Sequence, residues 1–275
     1  MSTLKLSRPL LLVGCGKMGS AMLSGWLESG IAAGGIIAVE PMGMPPAFSG
    51  VPGVDVVASA EELTDDLDPE VVVFAVKPQQ MDNVAPAYRR FAGCNTVFLS
   101  IAAGKNIAYF TAQLGDGAVI VRAMPNTPAA IGQGITVCCS NAAATDAQRE
   151  LGRQILAATG EAVVIDDEGL IDAVTALSGG GPAYVFLLIE CLAAAGVAAG
   201  LPSDLSDRLA LLTVAGSGQL ALSSEEPPAK LRENVTSPGG TTLEALKVLM
   251  ADEGLQPLMT RAIAAATARS RELAD

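Results

Sequence analysis

The sequence predicts an α/β protein in which a doubly wound parallel sheet is followed by an all-helical domain. Short apolar runs alternate with helical patterns up to about residue 165, an alternation typical of a parallel sheet with helices on both faces. A glycine-rich turn joins the first apolar run to the first helical pattern, and after residue 166 the apolar spacing is helical throughout. We therefore expect two domains, residues 1–165 and residues 166–275.

The glycine-rich turn has the spacing that binds dinucleotides. Residues 9–13 form a short apolar run, and Gly14, Gly16 and Gly19 follow it where the helical pattern of residues 18–27 begins. In this context the first glycine permits the turn, the second lets backbone approach a pyrophosphate, and the third lets helix and strand pack closely. The sequence thus predicts a Rossmann-type domain. Its cofactor loop consists of Gly14, Cys15, Gly16, Lys17, Met18 and Gly19.

The residue that ends the second predicted strand favours one form of the cofactor. Glu40 follows the apolar run 36–39. A carboxylate there accepts hydrogen bonds from the adenosine ribose and repels the 2′-phosphate of NADPH. Because no Lys or Arg lies between Glu40 and Lys77, the pattern favours NADH over NADPH. Two alternatives stay open: hydroxyls such as that of Ser49 could hold a phosphate, and Glu40 could be a solvated strand end.

The residues that follow the strands should form one cleft. The predicted strands are 9–13, 36–39, 54–57, 71–76, 96–101, 119–122, 135–140 and 162–165. Ligands of such sheets bind at the carboxyl ends of the strands. The residues expected at this edge are Glu40, Ala75, Val76, Lys77, Pro78, Ala102, Ala103, Gly104, Met124 and Asn126. Each could also belong to an ordinary loop.

The second predicted domain is rich in apolar helices. They cover residues 170–177, 183–199, 204–222, 228–234, 243–251 and 255–273. Residues 183–199 and 204–222 are too apolar for the surface of a monomer, so we expect them to pack against a second subunit of a homo-oligomer. The alternative is a membrane span over 183–201. Glu190 in its middle and the lack of flanking basic residues favour a buried helix and no membrane.

A second glycine-rich turn begins a helix in this domain. The string SPGGTT occupies residues 237–242, and leucines at helical spacing follow it. The first N–H groups of a helix have no partner and the helix dipole is positive there, so such a turn binds anions. Glycine leaves this backbone open to a ligand. The alternative is a tight turn that serves only to begin the helix.

The composition argues against several partners and chemistries. The formal net charge is −12, from 17 basic and 29 acidic residues without a basic patch, so we expect no nucleic-acid partner. The sequence has no histidine, the commonest acid–base group and metal ligand, and we expect no metal site. Five cysteines without a CxxC spacing indicate reduced thiols in a cytoplasmic protein.

Several strings, taken in order, resemble one enzyme family over the whole chain. They are GCGKMG at 14–19, AVKPQ at 75–79, MPNTP at 124–128, SGGGPAY at 178–184 and LRENVTSPGGTTLEALKVL at 231–249. Together they resemble Δ1-pyrroline-5-carboxylate reductase, and the last string is the most specific. The resemblance implies a dinucleotide domain and a helical domain that forms an interlocked dimer, in some members a decamer. It also implies hydride transfer from NAD(P)H to the C5 imine carbon of L-1-pyrroline-5-carboxylate, which gives L-proline.

The resemblance implies roles for individual residues. It assigns the cofactor to residues 14–19, 75–78 and 102–104, and Ser59 falls at a cofactor position where many relatives have Asn. It places the substrate carboxylate on the backbone of residues 239–242. The substrate-binding residues that it implies are Glu168, Asn234, Gly239, Gly240, Thr241 and Thr242.

Thr242 is the catalytic residue that the resemblance implies, because the family places a hydroxyl near the ring nitrogen. A protonated cyclic imine is already a good electrophile, so the reaction needs positioning rather than a metal, a covalent nucleophile or a histidine. A threonine hydroxyl is a poor acid, and we expect it to donate a hydrogen bond or relay a water. The alternative is that Thr242 caps the helix.

Other functions stay open at this point. β-Hydroxyacid dehydrogenases share the two-domain plan, but they use a lysine on the first helix of the helical domain, and here no lysine lies between Arg153 and Arg208. A reductase of a related cyclic imine fits the same residues. A non-catalytic dinucleotide-binding protein would have no need of a second anion site such as the turn at 237–242.

Overall fold

A computed structural model of the chain describes residues 5–93 and 95–273. By their contacts the residues form two compact units. The first consists of Met1–Gly179 with Ala266–Asp275, and the second of Gly180–Ala265. The strands of the described residues lie in the first unit, whereas the second unit is helical.

The first unit is built on an eight-stranded sheet with the order β3-β2-β1-β4-β5-β6-β7-β8. The strands are β1 Leu10–Val13, β2 Ile36–Val39, β3 Val54–Val57, β4 Val71–Phe74, β5 Val97–Ser100, β6 Val119–Met124, β7 Gly134–Ser140 and β8 Gly160–Val164. After β3 the chain crosses back over β1, so the sheet grows in the opposite direction from β4 onward. This reversal is the switch point of a doubly wound fold. The predicted fold class is confirmed, and each predicted strand ends within two residues of the observed one.

Successive residues of the central strands are buried on opposite faces of the sheet. Leu10 and Leu12 of β1 belong to one apolar cluster, which includes Trp26. Leu11 and Val13 belong to a second cluster on the other face. Side chains alternate along a strand, so a parallel sheet covered by helices on both sides needs apolar residues at every position. This requirement explains why the strands read as unbroken apolar runs.

Helices cover the sheet and form the second unit. In the first unit they are α1 Lys17–Ser29, α2 Met81–Val84, α3 Ile107–Leu114, α4 Asp146–Ala157 and α5 Ile171–Val174. From the second unit onward they are α6 Gly181–Ala198, α7 Ser203–Ser223, α8 Pro228–Asn234, α9 Thr241–Leu249 and α10 Leu255–Glu272. Local capping fixes some of their ends: at the start of α4 the Thr145 hydroxyl accepts from the Gln148 N–H, and the Gln148 side chain accepts from the Thr145 N–H.

One strand runs against the prediction of a wholly parallel sheet. β7 pairs antiparallel with β6, and Cys139 lies opposite Arg122. The segment between the two strands contains only the 3₁₀ turn Thr127–Ile131. A parallel crossover needs a dozen or so residues, usually with a full helix, so this short connection makes the chain turn back. The longer connection through α4 then returns β8 parallel to β7.

The two compact units do not divide at the predicted boundary, residue 165. The chain from β8 to Gly179 stays with the first unit because Ile171 of α5 packs in an apolar cluster with Met124 and Cys139. The end of α10 also belongs to the first unit. There the Ser270 hydroxyl donates a hydrogen bond to Asp172 Oδ1 at 2.6 Å. Packing and this bond therefore shift the boundary, although the strand pattern stops where the sequence predicts.

The second unit buries few of its own side chains. Helices α6 and α7 pack against each other, and the buried Ser206 hydroxyl donates to the Ala193 carbonyl at 2.7 Å. Large apolar side chains on the same helices are exposed, among them Phe186 at 59% and Leu212 at 58%. Exposed apolar surface of this extent marks a protein–protein interface or a membrane-facing helix.

One helical segment, Glu168–Ala198, is long and apolar enough to cross a membrane. It includes residues 183–198 of the predicted helix 183–199, and the sequence left a membrane span over 183–201 as the alternative. The core helix of a soluble assembly passes the same test of length and composition. Length and composition alone therefore do not distinguish the two environments.

Trp26 provides a test of the core. Its side chain is fully buried, and its indole N–H donates to the Ile155 carbonyl at 2.9 Å. Trp26→Phe removes this bond and leaves space in the core, so we expect the free energy of unfolding to fall by about 1–3 kcal/mol. The measurement is urea denaturation followed by circular dichroism, at one protein concentration. Met42→Leu, at a position that is 91% exposed, is the control, and an unchanged midpoint for Trp26→Phe would contradict the prediction.

Candidate functional site

The glycine-rich loop between β1 and α1 depends on the absence of side chains. Gly14 has φ +92°, and a Cβ built on it would lie 2.7 Å from Val76 Cγ1. A Cβ on Gly19 would overlap the Gly14 carbonyl oxygen. The first and third glycines therefore allow the start of α1 to pack directly against the turn and β4, as the motif predicts.

Gly16 has a different role, because it faces open space. A Cβ built on it would meet no described atom within 4 Å, and Gly16 lines a cavity at this edge of the sheet. It is also the N-cap of α1, where no side chain of the described residues supplies a capping hydrogen bond. The first N–H groups of α1 and the positive end of its dipole are thus available to an anion. This arrangement fits the pyrophosphate of a dinucleotide.

The cavity has a volume of about 620 Å³ and lies at the carboxyl ends of β1, β2, β3 and β4. The predicted cofactor residues that line it are Gly14, Gly16, Glu40, Ser59, Ala75, Val76 and Lys77. The lining residues that the sequence analysis missed are Val13, Val39, Pro41, Met42, Ala58, Ala60, Glu61, Gln80, Asn83, Val84, Ala87 and Tyr88. Many of these follow a strand directly, so extending the strand-end rule by three or four residues would have found several of them.

Glu40 is held in place by the glycine-rich loop. The Cys15 N–H donates to Glu40 Oε2 at 2.8 Å, and the Met42 N–H donates to Oε1 at 3.2 Å. A carboxylate has about four acceptor positions, so these two bonds leave others free for ribose hydroxyls. The predicted acid at the end of β2 therefore lies in the cavity with its negative charge oriented by backbone.

Cys15 contributes its backbone rather than its thiol. The side chain is buried, and its sulfur lies 3.6 Å from the Ser20 hydroxyl. Burial raises the pKa of the Cys15 thiol, and the nearby Glu40 charge acts in the same direction. The thiol is therefore kept neutral, which suits a structural residue rather than a nucleophile.

The other predicted cofactor segments follow β4 and β5. Pro78 begins a 3₁₀ turn, Pro78–Gln80, directly after the cavity-lining Lys77. In the 102–104 loop, the Ala102 N–H donates to the Ser100 hydroxyl at 3.2 Å. Gly104 has φ +74°, and a Cβ there would lie 2.8 Å from the Leu273 carbonyl oxygen. Leu273 thus packs against the 102–104 loop.

The side chains of Met124 and Asn126 make contacts inside the first unit. Met124 is buried in the cluster with Cys139 and Ile171. Asn126 Oδ1 accepts a hydrogen bond from the Ile135 N–H at 2.9 Å, which ties the β6–β7 connection to the start of β7. Any contact of Met124 or Asn126 with a cofactor would therefore use their backbone atoms or the side-chain atoms that take no part in these contacts.

Glu168, a predicted substrate residue, belongs to a charged cluster in the first unit. Its Oε1 accepts from Arg122 at 2.8 Å and from the Ile107 N–H at 2.8 Å. Arg122 is 5% exposed, so the ion pair neutralises a buried charge and also holds the first N–H of α3. The sequence analysis missed Arg122, although a single charge within an apolar strand indicates a buried partner.

The same pair acts on the cysteine beside it. Burial, and then the charge of Glu168, raise the pKa of Cys139 to about 12. Cys139 is consequently neutral at physiological pH and behaves as a small apolar side chain of the core. The buried cysteines Cys15, Cys138 and Cys139 therefore do not resemble activated thiols.

In the second unit, the SPGGTT turn has the predicted geometry. Gly239 has φ +68°, a conformation that favours glycine, and the Gly240 N–H donates to the Ser237 carbonyl at 3.0 Å. Gly240 is the N-cap of α9, and within the described residues no side chain caps it. Thr241 and Thr242 are the first two residues of α9. Thr242 is therefore not the N-cap, which disfavours the alternative in which it caps the helix.

Asn234, the remaining predicted substrate residue, ends α8 in the same unit. Its amide donates to Glu226 Oε2 at 2.8 Å. The side chain is exposed, so this bond to a loop carboxylate can exchange with water or a ligand. The amide oxygen keeps its capacity to accept hydrogen bonds.

Comparison with protein-family models matches two separate parts of the chain. Residues 10–104 match the family described as NADP oxidoreductase, coenzyme F420-dependent. Residues 168–273 match the family described as pyrroline-5-carboxylate reductase dimerisation. The second match starts close to the predicted domain boundary and includes the exposed apolar helices. The chain accordingly forms a homo-oligomer through its helical domain.

Individual relatives match nearly the whole chain. The pyrroline-5-carboxylate reductase of Pseudomonas aeruginosa is 43% identical over 97% of this chain and 97% of its own length. A solved structure of a pyrroline-5-carboxylate reductase from Coxiella burnetii superposes with a TM-score of 0.89 at 32% identity, over 98% of this chain and 100% of that one. The Plasmodium falciparum pyrroline carboxylate reductase, solved with NADP bound, has a TM-score of 0.81 at 31% identity, over 100% of both chains.

These similarities agree with the two glycine-rich helix starts described above. The chain is an oxidoreductase that uses a nicotinamide dinucleotide and acts on a carbon–nitrogen double bond, as its relatives do. Identity of 43% across 97% of both chains places this chain in the family of its relative. The chain belongs to the pyrroline-5-carboxylate reductase family.

Proposed function

We propose that this chain reduces L-1-pyrroline-5-carboxylate to L-proline with NADH as its preferred cofactor. The observation that carries the proposal is that each unit presents an α-helix whose N-cap is a glycine, Gly16 in α1 and Gly240 in α9. Such helix starts bind anions through backbone N–H groups. A dinucleotide pyrophosphate and a substrate carboxylate are the two anions that this reaction must hold.

The residues of the first unit fit a dinucleotide. The open position at Gly16 leaves room over the start of α1, and Glu40 supplies acceptors for a ribose. We assign the pyrophosphate to residues 14–19 and the remainder of the cofactor to residues 75–78 and 102–104, with Ser59, Met124 and Asn126 beside them. When bound, the reduced nicotinamide supplies the hydride.

The residues of the second unit fit the substrate. We assign the substrate carboxylate to the backbone N–H groups of residues 239–242, where charge-assisted hydrogen bonds contribute roughly 1.5–3 kcal/mol each. Asn234 and Thr241 are assigned to the surroundings of the ring. The substrate role that the resemblance implies for Glu168, a residue of the first unit, stays a prediction. Because a protonated imine is already electrophilic, the chain has to hold the ring in one orientation rather than activate it.

Thr242 is assigned to the ring nitrogen. It follows the N-cap Gly240 by two positions, so its hydroxyl belongs to the same helix start as the proposed carboxylate site. A hydroxyl there donates a hydrogen bond that stabilises the developing amine. Its low acidity makes a hydrogen-bond donor or water relay a better description than a full proton source.

The preference for NADH rests on charge. The Glu40 carboxylate lies in the cavity, and Lys77 is the cation among the described residues that line it. A 2′-phosphate next to Glu40 would meet a like charge without a neighbouring guanidinium. The relative from Plasmodium falciparum was solved with NADP, so this preference is a property that we propose for this chain.

We also propose a homodimer in the cytoplasm, without membrane or nucleic-acid partners. The match to a dimerisation family and the exposed side chains of α6 and α7 support association through the helical domain. The cysteines of the described residues are free thiols, as the cytoplasm maintains them. Further assembly of dimers into a decamer is compatible with the same domain.

The proposed reaction and cofactor preference are tested together by the absorbance decay of NADH and NADPH in parallel, with pyrroline-5-carboxylate as substrate. We expect both cofactors to be oxidised and kcat/KM to be higher for NADH. Glu40→Gln keeps an acceptor for the Cys15 N–H but removes the charge, so the NADPH-to-NADH ratio of kcat/KM should rise about tenfold.

Two results would contradict this proposal. If neither cofactor is oxidised although both bind, the substrate is a different imine or the chain is a binding protein. If NADPH is the better cofactor of the unmodified chain, the assigned role of Glu40 is wrong.

Thr242→Ala tests the assigned hydroxyl. We expect kcat to fall about 10- to 100-fold, because one hydrogen-bond donor to the reacting nitrogen is lost, while the dissociation constant of NADH stays unchanged. Thr242→Ser should restore most of the rate, and Thr260→Ala, an exposed hydroxyl on α10, is the control. Unchanged turnover in Thr242→Ala would remove the hydroxyl from the mechanism.

The oligomeric state is tested by light scattering at micromolar concentration. We expect at least twice the mass of one chain, and ten times that mass would show a decamer. Phe186→Glu places a charge among the exposed apolar side chains of α6 and should shift the mass toward one chain. Val56→Glu, at an exposed position of β3 in the first unit, is the control. A monomeric unmodified chain would refute the proposal.

A further inference from the structure

A second acidic residue lines the cavity beside Glu40. β2 and β3 pair in parallel, with Val39 next to Val57, and the Glu40 N–H donates to the Val57 carbonyl at 3.0 Å. The segment that follows β3 therefore leaves the sheet at the same edge as Glu40, one strand spacing away. Glu61 lies on this segment, in the 3₁₀ turn Ala60–Glu62, and lines the same cavity.

The charge of Glu61 reaches the interior of the cavity. A hydrogen bond from the Ser59 hydroxyl lowers the pKa of Glu61, which keeps the carboxylate ionised. Tyr88 also lines the cavity, and its pKa is raised first by burial and then by the negative charge of Glu61. Since Glu61 lines the cavity, its negative charge lies on the side of the cavity formed after β3.

Glu62 is the adjacent acid, and its carboxylate binds backbone within the turn, whereas Glu61 borders the cavity. Glu62 Oε2 accepts a hydrogen bond from the Ala58 N–H at 3.2 Å, which closes the turn after β3. It is outside the described lining of the cavity, whereas Ala58, Ser59, Ala60 and Glu61 belong to it. The turn thus offers two neighbouring carboxylates, of which one borders the cavity.

We propose that Glu61 is a second specificity-determining residue that repels the 2′-phosphate of NADPH. The inference rests on the proposed NADH preference. It extends the basis of that preference from Glu40, which follows β2, to a residue in the turn after β3. In this proposal Glu40 acts at the ribose. Glu61 adds a second negative charge, which repels the phosphate from the side of the cavity next to β3. Because Glu61 is exposed, its repulsion acts partly through solvent and is weakened by salt.

The test uses the adenosine half of the cofactor and needs no catalysis. Adenosine 5′-monophosphate and adenosine 2′,5′-bisphosphate differ only in the 2′-phosphate, and isothermal titration calorimetry on the full chain gives a dissociation constant for each. In Glu61→Gln we expect the bisphosphate to bind about 3- to 10-fold more tightly than in the unmodified chain. The monophosphate should bind with a dissociation constant within about twofold of its original value.

Glu62→Gln is the matched control, because it removes one negative charge from the same turn and keeps an acceptor for the Ala58 N–H. It should leave the ratio of the two dissociation constants unchanged. The proposal is overturned if Glu61→Gln leaves this ratio unchanged, or if Glu62→Gln changes it as much.

Ionic strength gives an independent measurement on the unmodified chain. Raising salt from about 0.05 to about 0.5 M shortens the screening length several-fold, so affinity for the bisphosphate relative to the monophosphate should rise. The rise should be smaller in Glu61→Gln, and equal rises in both proteins would also overturn the proposal.

Failure here is distinguishable from failure of the cofactor preference. An unmodified chain that prefers NADH, together with an unaltered ratio in Glu61→Gln, removes only the role of Glu61. An unmodified chain that binds the bisphosphate more tightly and prefers NADPH overturns the preference and this inference together.

Discussion

The structure of the cofactor site depends on the close approach of α1 to β4 across the glycine-rich loop. Gly14 and Gly19 have no room for a side chain, since a Cβ on either would overlap Val76 or the loop's own backbone. This contact fixes the direction in which α1 leaves the sheet, and thereby where its free N–H groups point. It also brings the Cys15 N–H to Glu40, so the same loop orients both the proposed anion site and the acid to which we assign cofactor discrimination.

A chain with a formal charge of −12 has to bind anions with few cations. Both proposed anion sites do so with backbone, at helices that begin with glycine in place of a capping side chain. A Ser or Asp at either N-cap would satisfy the first N–H groups and compete with the ligand. In the proposed sites the unused N–H groups are a cost to helix stability that ligand binding would offset. The acids around the cavity would then act on selectivity rather than on affinity for the pyrophosphate.

The sequence predicts local features well and long-range features less well. Apolar runs and turn residues locate the strands to within two residues, because local patterning and burial determine them. The direction of β7 depends on the short connection after Met124. A prediction from the alternation of strands and helices takes no account of the length of a connection. The pairing of Arg122 with Glu168 joins residues that are 46 apart, and the place of Glu61 at the cavity follows from the turn after β3. Such contacts become visible only in three dimensions.

The helical unit illustrates why association and folding are linked in this chain. Within residues 180–265, all of which the structure describes, the buried side chains are those of Ala193, Ser206 and Ala210. Small residues allow α6 and α7 to pack closely but bury little apolar area, while the leucines and Phe186 remain exposed. Most of the hydrophobic stabilisation of this unit must therefore come from another copy of the chain. Its stability then depends on protein concentration, and the SPGGTT turn at the start of α9, our proposed substrate site, belongs to a unit that is complete only in the oligomer.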